Sequence, residues 1–424
     1  MTYKETVEYL FNATPVFEKI GAGAYKEGLQ NTMALDSHFG HPHRRFKSIH
    51  VAGTNGKGSV SHSLAAILQS AGYKVGLYTS PHLVDFRERI RVNGECISEE
   101  YVVDFVEKER SFFEPLCPSF FELTTAMAFK YFAEQEVDFA VIEVGLGGRL
   151  DCTNIITPIL SVITNISFDH TGFLGNTLAQ IAGEKAGIIK RGVPVVIGEY
   201  TSETRPVFEA KAKEMKSPII FAQDEEELGA EIDFELKGEY QKKNKQTILV
   251  ATREIEDRFS RMSRISRISS FSRDTIAEAL QNVCALTGLR GRWEKIGEKP
   301  LVICDTGHNV GGWEYLAPQI AAQECRQRRI VFGMVDDKDV NTVMAMLPKD
   351  AVYYWAQAST HRAIPADKIE QLGSEAGLCG TSYMSVEAAY NKALADSTPE
   401  DFIFVGGSSY VVADLYSSFV NSQS

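Results

Sequence analysis

The fold class of this chain is decided by residues 48–83, SIHVAGTNGKGSVSHSLAAILQSAGYKVGLYTSPHL. A short apolar run leads into a glycine-rich turn, then into a segment with helical periodicity, and then into a second apolar run. That order of strand, turn, helix and strand predicts a βαβ unit. The turn therefore lies after the carboxyl end of a strand and at a helix N-terminus, where ligands bind in open α/β sheets.

The glycine-rich turn is similar to a phosphate-binding loop but departs from the Walker pattern, G-x-x-x-x-G-K-[ST]. Gly56-Lys57 is followed by Gly58, and the hydroxyl comes one place later, at Ser59. The glycines let backbone N–H groups approach phosphate oxygens, Lys57 supplies charge, and Thr54 or Ser59 can reach a metal or a phosphate. A tight turn without a ligand is the alternative, but the combination favours a phosphate site.

Composition limits the class of protein. The chain has 424 residues, enough for two domains, and its net charge of −12 argues against a nucleic-acid partner. No apolar run reaches the roughly 18–20 residues that a membrane span needs. Seven scattered cysteines indicate reduced thiols, and an N-terminal stretch with Glu5 and Glu8 does not read as a signal peptide. We therefore expect a cytoplasmic protein with no membrane partner.

Alternating strands and helices define the expected domains. Up to about residue 200 the alternation predicts a mostly parallel sheet with helices on both faces, in a P-loop NTPase-like domain over 1–290. Glycines, charges and a proline suggest a linker over 291–299. Four further strand-like runs predict a smaller, Rossmann-like α/β domain over 300–424. The arginine- and serine-rich segment 258–273 is assigned no function.

Three polar positions interrupt apolar runs near predicted strand ends and helices. Glu143 ends an apolar run before a glycine-rich turn, where a carboxylate is costly unless it is paired or binds a cation. It is predicted to be a Mg²⁺ ligand, with a capping or salt-bridged role as the alternative. His170 follows another strand, and a catalytic and a structural role both stay open. Lys185, within IAGEKAGII, should have a lowered pKa unless it pairs with a carboxylate.

Twelve motifs follow one another along nearly the whole chain: HVAGTNGKGSVS, GLYTSPHL, ERIRVNGE, FFELTTAMAF, EVGLGGRLDCTN, FDHTGFLG, IAGEKAGIIK, GEYQKKN, GRW, DTGHN, FGMVDDKD and GGSSY. Together they resemble the Mur ligase superfamily, specifically folylpolyglutamate synthase and bifunctional dihydrofolate synthase–folylpolyglutamate synthase. The resemblance implies an ATP-dependent amide ligase. A substrate carboxylate attacks the γ-phosphate of ATP, and the amine of L-glutamate then displaces phosphate from the acyl phosphate.

The resemblance also implies which residues bind ATP and metal. ATP is expected to contact Gly53, Thr54, Asn55, Gly56, Lys57, Gly58, Ser59, Gln241, Asn244, Arg292 and Asp305. Two Mg²⁺ ions are expected at Ser59, Ser80, Glu143 and His170, and the resemblance allows a monovalent cation in addition. Lys57, Lys185, His170 and Glu143 form the expected catalytic set. Lys185 matches the lysine that CO₂ carbamylates in this family.

The same resemblance implies the substrate residues. Phe121 and Asp151 match positions at the pterin, although a core phenylalanine and a turn aspartate are the plain alternatives. His308 and Ser408 match positions for glutamate. The expected substrates are dihydropteroate, a reduced folate or both, with L-glutamate and ATP, and the expected state is a monomer.

Three other functions stay open. The chain could be a folylpolyglutamate synthase only. It could be another Mur-type ligase, although no UDP-binding domain precedes the loop at Gly53. A P-loop kinase or regulatory NTPase whose second domain binds an effector is less favoured, and ATP turnover that does not depend on glutamate would distinguish it from a ligase.

Overall fold

A computed structural model describes residues 1–13, 28–262 and 271–421. The chain forms two compact units. The first comprises Met1–Glu235 and Lys242–Leu289, and the second comprises Leu236–Gln241 and Arg290–Ser424. Residues 263–270, half of the 258–273 segment, lie outside the described residues. The functional domain assignments 1–290 and 300–424 stay predictions.

The first unit is built on an eight-stranded sheet in the order β4–β3–β2–β5–β1–β6–β7–β8. All neighbouring strands are parallel except β2–β3 and β3–β4. The predicted, mostly parallel sheet is thus confirmed. Its strands are β1 Lys47–Ala52, β2 Val75–Tyr78, β3 Ile90–Val92, β4 Glu95–Cys96, β5 Phe139–Glu143, β6 Leu160–Ile163, β7 Val195–Ile197 and β8 Ile219–Phe221.

Helices connect these strands because the intervening segments carry apolar residues at helical spacing and polar caps at their ends. Ser119, for example, starts a helix through a capping box with Glu122. The helices are α1 Tyr3–Ala13, α2 Gln30–His38, α3 Lys57–Ser70, α4 Glu99–Phe113, α5 Phe120–Glu134, α6 Thr171–Leu174, α7 Leu178–Ala186, α8 Arg205–Met215, α9 Gln241–Met262, α10 Arg273–Gln281 and α11 Val283–Thr287. Short 3₁₀ helices span Pro42–Arg44, Phe86–Arg89, Glu114–Leu116, Cys152–Ile155 and Ala222–Asp224.

The second unit has a six-stranded sheet in the order β13–β12–β11–β14–β10–β9, parallel except for β9. Trp313 and Trp355 are fully buried in its core. Its strands are β9 Glu294–Glu298, β10 Leu301–Asp305, β11 Arg328–Phe332, β12 Ala351–Ala356, β13 Cys379–Tyr383 and β14 Phe402–Gly406. Its helices are α12 Val310–Ala321, α13 Val340–Met346, α14 Ala366–Glu375, α15 Val386–Ala395 and α16 Ser409–Asn421.

The segment 291–299, expected to be a linker, contains β9. This strand pairs antiparallel with β10, so the segment is part of the second unit's sheet and not a free connection. None of the helices in the described parts of the chain is long and apolar enough to cross a membrane.

Candidate active site

Four neighbouring parallel strands of the first unit end at one edge of the sheet. In the register of this sheet Val51 of β1 lies beside Glu143 of β5 and beside Val162 of β6. Tyr78, the last residue of β2, lies beside Ile142. Glu143 is the last residue of β5, and the glycine-rich loop and the segments that carry Ser80 and His170 follow the ends of β1, β2 and β6. The sheet thus brings together chain segments that are far apart in sequence.

The loop after β1 requires glycine at two positions. Gly53 and Gly56 have φ values of 148° and 82°, a region that residues with a side chain rarely adopt. A methyl group on Gly53 would approach Thr164 Oγ1 to 1.8 Å, and one on Gly56 would approach Asn244 Oδ1 to 2.4 Å. Helix α3 begins directly after Gly56, at Lys57. Asn244, expected near the nucleotide, therefore lies against the loop.

Two lysine ammonium groups converge on the carbonyl oxygen of Gly53. Lys185 Nζ donates to it at 2.8 Å and Lys57 Nζ at 3.1 Å, and Lys57 Nζ also donates to Thr54 O at 3.1 Å. Lys185 is only 4% exposed. Within the described residues no carboxylate lies at ion-pair distance from Lys185, and the neighbouring Glu184 pairs with Arg149 instead.

This setting lowers the pKa of Lys185 to about 7. Burial is the main cause, because it disfavours the charged form, and the positive charge of Lys57 adds to it. The negative charges of Asp169 and Asp151 raise the pKa of Lys185, but by less than burial and Lys57 lower it. The lowered pKa that the sequence predicts for Lys185 is confirmed. Among the described residues its hydrogen-bond acceptor is the carbonyl oxygen of Gly53, and it forms no salt bridge with a carboxylate.

Glu143 is 3% exposed, and its Oε2 accepts a hydrogen bond of 3.3 Å from the backbone N–H of Ser80. Ser59, in the first turn of α3, is also buried. Across residues 1–13, 28–262 and 271–421, no group of three or more His, Cys, Asp or Glu side chains is arranged to hold a metal ion. A site with a single carboxylate, that of Glu143, is still compatible with Mg²⁺, because this ion takes one or two protein carboxylates and completes its shell with water and phosphate oxygens.

His170 is the N-cap residue directly before the short helix α6 and has a φ of 49°. Its backbone N–H donates to Asp169 Oδ1 at 2.8 Å, and its Nε2 lies 3.8 Å from the same oxygen. The imidazole is about a quarter exposed. The pair therefore places a carboxylate and an imidazole on the segment that follows β6, and the metal-binding role of His170 stays a prediction.

The loop that carries Ser80 is fixed by two residues to which the sequence reasoning gave no role. The carboxylate of Glu88 accepts the backbone N–H groups of three consecutive residues, Leu83, Val84 and Asp85. Arg89 is buried and donates through Nε to His82 Nδ1 at 2.7 Å. The spacing of Asp85 and Glu88, which is that of a capping box, was the one sequence feature that could have indicated this role of Glu88.

The expected pterin residues occupy one neighbourhood after β5. Phe121 stacks on Tyr78 with ring centres 5.7 Å apart, and a methyl group on Gly145 would approach the Phe121 ring to 2.4 Å. Asp151 is buried and accepts the N–H groups of Leu146 and Thr153, both at 2.9 Å. Burial raises the pKa of Asp151. These contacts make Asp151 a residue that shapes its own turn, and its role at the pterin stays a prediction.

The second unit gathers several of the other expected residues around Asp305. Its carboxylate accepts from the Tyr240 hydroxyl at 2.7 Å, from the backbone N–H of Trp293 at 2.7 Å and from that of Gly307 at 2.8 Å. Burial raises the pKa of Asp305. Because Tyr240 precedes Gln241 and Trp293 follows Arg292, Asp305 holds together the two segments that carry those residues.

His308 and Ser408 lie at the carboxyl edge of the second sheet. His308 Nδ1 is 3.1 Å from the carbonyl oxygen of Thr306, directly after β10. Ser408 follows β14, the neighbour of β10, and its Oγ accepts the N–H of Val411 at 3.2 Å. Both residues therefore follow adjacent strands, as expected of residues that bind one ligand at a sheet edge.

Two domain families match this chain. The Mur ligase middle domain matches residues 51–264, and the Mur ligase glutamate ligase domain matches residues 291–409. The chain belongs to the Mur ligase family. The resemblance expected from the twelve motifs is thus confirmed, because the two family domains together span the loop, Glu143, Lys185 and Asp305.

Within the Mur ligase family, the chain is similar to dihydrofolate synthases/folylpolyglutamate synthases. The dihydrofolate synthase/folylpolyglutamate synthase of Bacillus subtilis is 38% identical over 341 residues, which cover 76% of this chain and 79% of the relative. E. coli FolC in complex with DHPP and ADP superimposes with a TM-score of 0.85 at 29% identity, covering 100% of this chain and 99% of FolC. A bifunctional folylpolyglutamate synthase/dihydrofolate synthase with Mn, AMPPNP and L-glutamate bound gives 0.82 at 28% identity, covering 99% and 98%.

Proposed function

We propose that this chain is an ATP-dependent ligase that joins L-glutamate to dihydropteroate, to the glutamate tail of a reduced folate, or to both. The observation that carries the proposal is that Lys57 and Lys185 both donate to the carbonyl oxygen of Gly53 in the glycine-rich loop. The buried Glu143 lies beside this loop's strand, at the end of the neighbouring strand β5. The ADP, DHPP, AMPPNP, Mn and L-glutamate bound to its structural neighbours support the same substrates and a divalent cation here.

The proposed reaction has two steps. An oxygen of the substrate carboxylate attacks the γ-phosphorus of ATP, the bond to ADP breaks, and an acyl phosphate forms. The amino nitrogen of L-glutamate then attacks the acyl carbon and loses a proton, and inorganic phosphate leaves. The ammonium group of Lys57 and the N–H groups at the start of α3 bind and orient the phosphates, so that charge is stabilised where it develops.

Ser59, Ser80 and Glu143 would hold Mg²⁺, with His170 for a second ion, and Mg²⁺ would supply neutralisation of phosphate charge. The second ion, a monovalent cation, the cytoplasmic location and the monomeric state stay predictions. In the second unit, Gln241, Arg292 and Asp305 are proposed to serve ATP, and His308 and Ser408 to serve glutamate. Lys185 is proposed to act as its carbamate.

Release of ADP should depend on both an acid substrate and L-glutamate. The assay follows ADP with dihydropteroate and with tetrahydrofolate, each with and without L-glutamate, and identifies the product by its gain of one glutamyl residue. Comparable rates with both acids would support a bifunctional enzyme, and activity with tetrahydrofolate alone would support a folylpolyglutamate synthase only. ADP release that needs no glutamate would contradict the ligase proposal and favour a kinase or NTPase.

Glu143→Gln should lower kcat by about 100-fold and raise the Mg²⁺ concentration needed for half-maximal activity, because a neutral amide is a weaker ligand for a hard cation. The measurement is a Mg²⁺ titration of the steady-state rate. Glu122→Gln is the matched control, since Glu122 is equally buried but caps a helix, a role that glutamine also fills. An unchanged Mg²⁺ dependence in Glu143→Gln would remove Glu143 from the metal site.

A further inference from the structure

The segment directly after β6 holds the phosphate loop through hydrogen bonds that the sequence motifs do not reveal. Asn165 accepts two consecutive loop amides: Thr54 N–H donates to its carbonyl oxygen at 3.0 Å, and Asn55 N–H donates to its side-chain Oδ1 at 2.9 Å. Thr164 adds a third bond, because its Oγ1 donates to Asn55 O at 2.5 Å. Both polar groups of the Asn55 backbone are therefore bound by this segment.

Further contacts make the same connection more rigid. The Thr54 hydroxyl donates to Ser167 O at 3.1 Å, and Asn55 Nδ2 donates to Ser167 Oγ at 3.2 Å. The Thr164 hydroxyl also fills the space in which Gly53 would otherwise carry a methyl group. Residues 164–167 thus set the shape of residues 53–55 from outside the loop.

These bonds have a consequence for ligand binding. An N–H group donates one good hydrogen bond, so the amides of Thr54 and Asn55 are committed to Asn165. The amides of Lys57 and Gly58 belong to the first turn of α3, where an N–H group has no acceptor within the helix. The positive end of the helix dipole lies at the same place and favours an anion.

We propose that Thr164 and Asn165 are positioning residues for the nucleoside triphosphate. They keep the amides of Thr54 and Asn55 turned away from the ligand, and they hold the loop so that the amides at the start of α3 meet the phosphate oxygens. This inference rests on the proposed function, because it assumes that the loop binds ATP.

The test compares three variants of the full chain. Thr164→Val removes the hydroxyl and keeps the shape, Thr164→Ser keeps the hydroxyl, and Asn165→Ala removes the acceptor for Asn55 N–H. ADP affinity is measured by calorimetry, and KM for ATP and for L-glutamate is measured in the ligation assay. We expect about tenfold weaker ADP binding and a similarly raised KM for ATP in Thr164→Val and Asn165→Ala, from the loss of one buried hydrogen bond each.

A positioning role predicts more than a loss of stability. Thr164→Ser should restore ADP affinity to within about twofold of the wild type, and KM for L-glutamate should be unchanged in all three variants. Thr252→Val is the matched control, because Thr252 is as buried as Thr164 and its hydroxyl donates to Ile248 O at 2.8 Å within a helix. It should lower the unfolding midpoint without changing ADP affinity.

The outcomes separate the two proposals. If the wild-type chain binds no ADP, the proposed function fails. If the wild type binds ADP and Thr164→Val or Asn165→Ala binds it equally well, the positioning role is overturned while the proposed function stands. Should Thr164→Val not fold, Asn165→Ala decides the matter alone, because its backbone acceptor for Thr54 N–H remains.

Discussion

Lys57→Ala should abolish ligation, with kcat reduced by about 1,000-fold or more, while the fold stays intact. The ammonium group is held at the mouth of the loop by the carbonyl oxygens of Gly53 and Thr54. Its loss removes a charged donor from a preorganised site, and such donors are worth about 10²–10³ in kcat even when they are neutral. The measurement is the steady-state rate at saturating ATP, with the unfolding midpoint measured in parallel.

Lys74→Ala is the matched control for this loss. Lys74 is also a partly buried lysine with a neutral hydrogen-bond partner, Gln135 Oε1 at 3.3 Å, but it precedes β2 and so lies at the opposite edge of the sheet. The two variants should lose similar stability, and only Lys57→Ala should lose activity. Near-normal ligation by Lys57→Ala would mean that the glycine-rich loop does not bind the transferred phosphate.

The sequence predicted the fold where local pattern determines it. The run SIHVA, the glycines at 53 and 56 and the periodicity of α3 each act within a few residues, so the βαβ unit follows from them. Strand β9 was missed for the opposite reason. Its sequence, EKIGE, has no apolar run, and it becomes a strand only because β10 lies beside it to accept its hydrogen bonds.

The sequence was enough to name candidate residues for the site, but it did not predict the hydrogen bonds that these residues make. Glu143 and Lys185 stood out because charged groups within apolar runs are costly. That Lys185 would hydrogen-bond to Gly53, 132 positions earlier, depends on the packing of α7 against the loop and has no local signal. The same holds for Asp305, whose three donors come from segments around Tyr240, Trp293 and Gly307.

Lys185→Ala should be inactive, with kcat reduced by about 1,000-fold, and partly rescued by formate or acetate. Carbamylation forms a bond between Nζ and the carbon of CO₂ and releases a proton, so it needs the neutral amine. With a pKa of about 7, about half of the Lys185 amines are neutral at neutral pH, against well under 1% for an ordinary lysine. The carbamate retains one N–H for the Gly53 carbonyl and places its negative charge near the ammonium group of Lys57.

The pH dependence and a second lysine make this prediction specific. Below pH 7 the Lys185 amine is increasingly protonated, so reactivation of CO₂-depleted enzyme at a fixed concentration of dissolved CO₂ should slow as pH falls and quicken as it rises. Lys190→Ala is the control: burial lowers the pKa of Lys190 to about 8, but its Nζ donates to Asn154 O and not to a carbonyl of the loop. Small acids should not change the activity of that variant. An active sample whose Lys185 is unmodified in a density map, or in a native mass spectrum recorded at neutral pH, would contradict carbamylation.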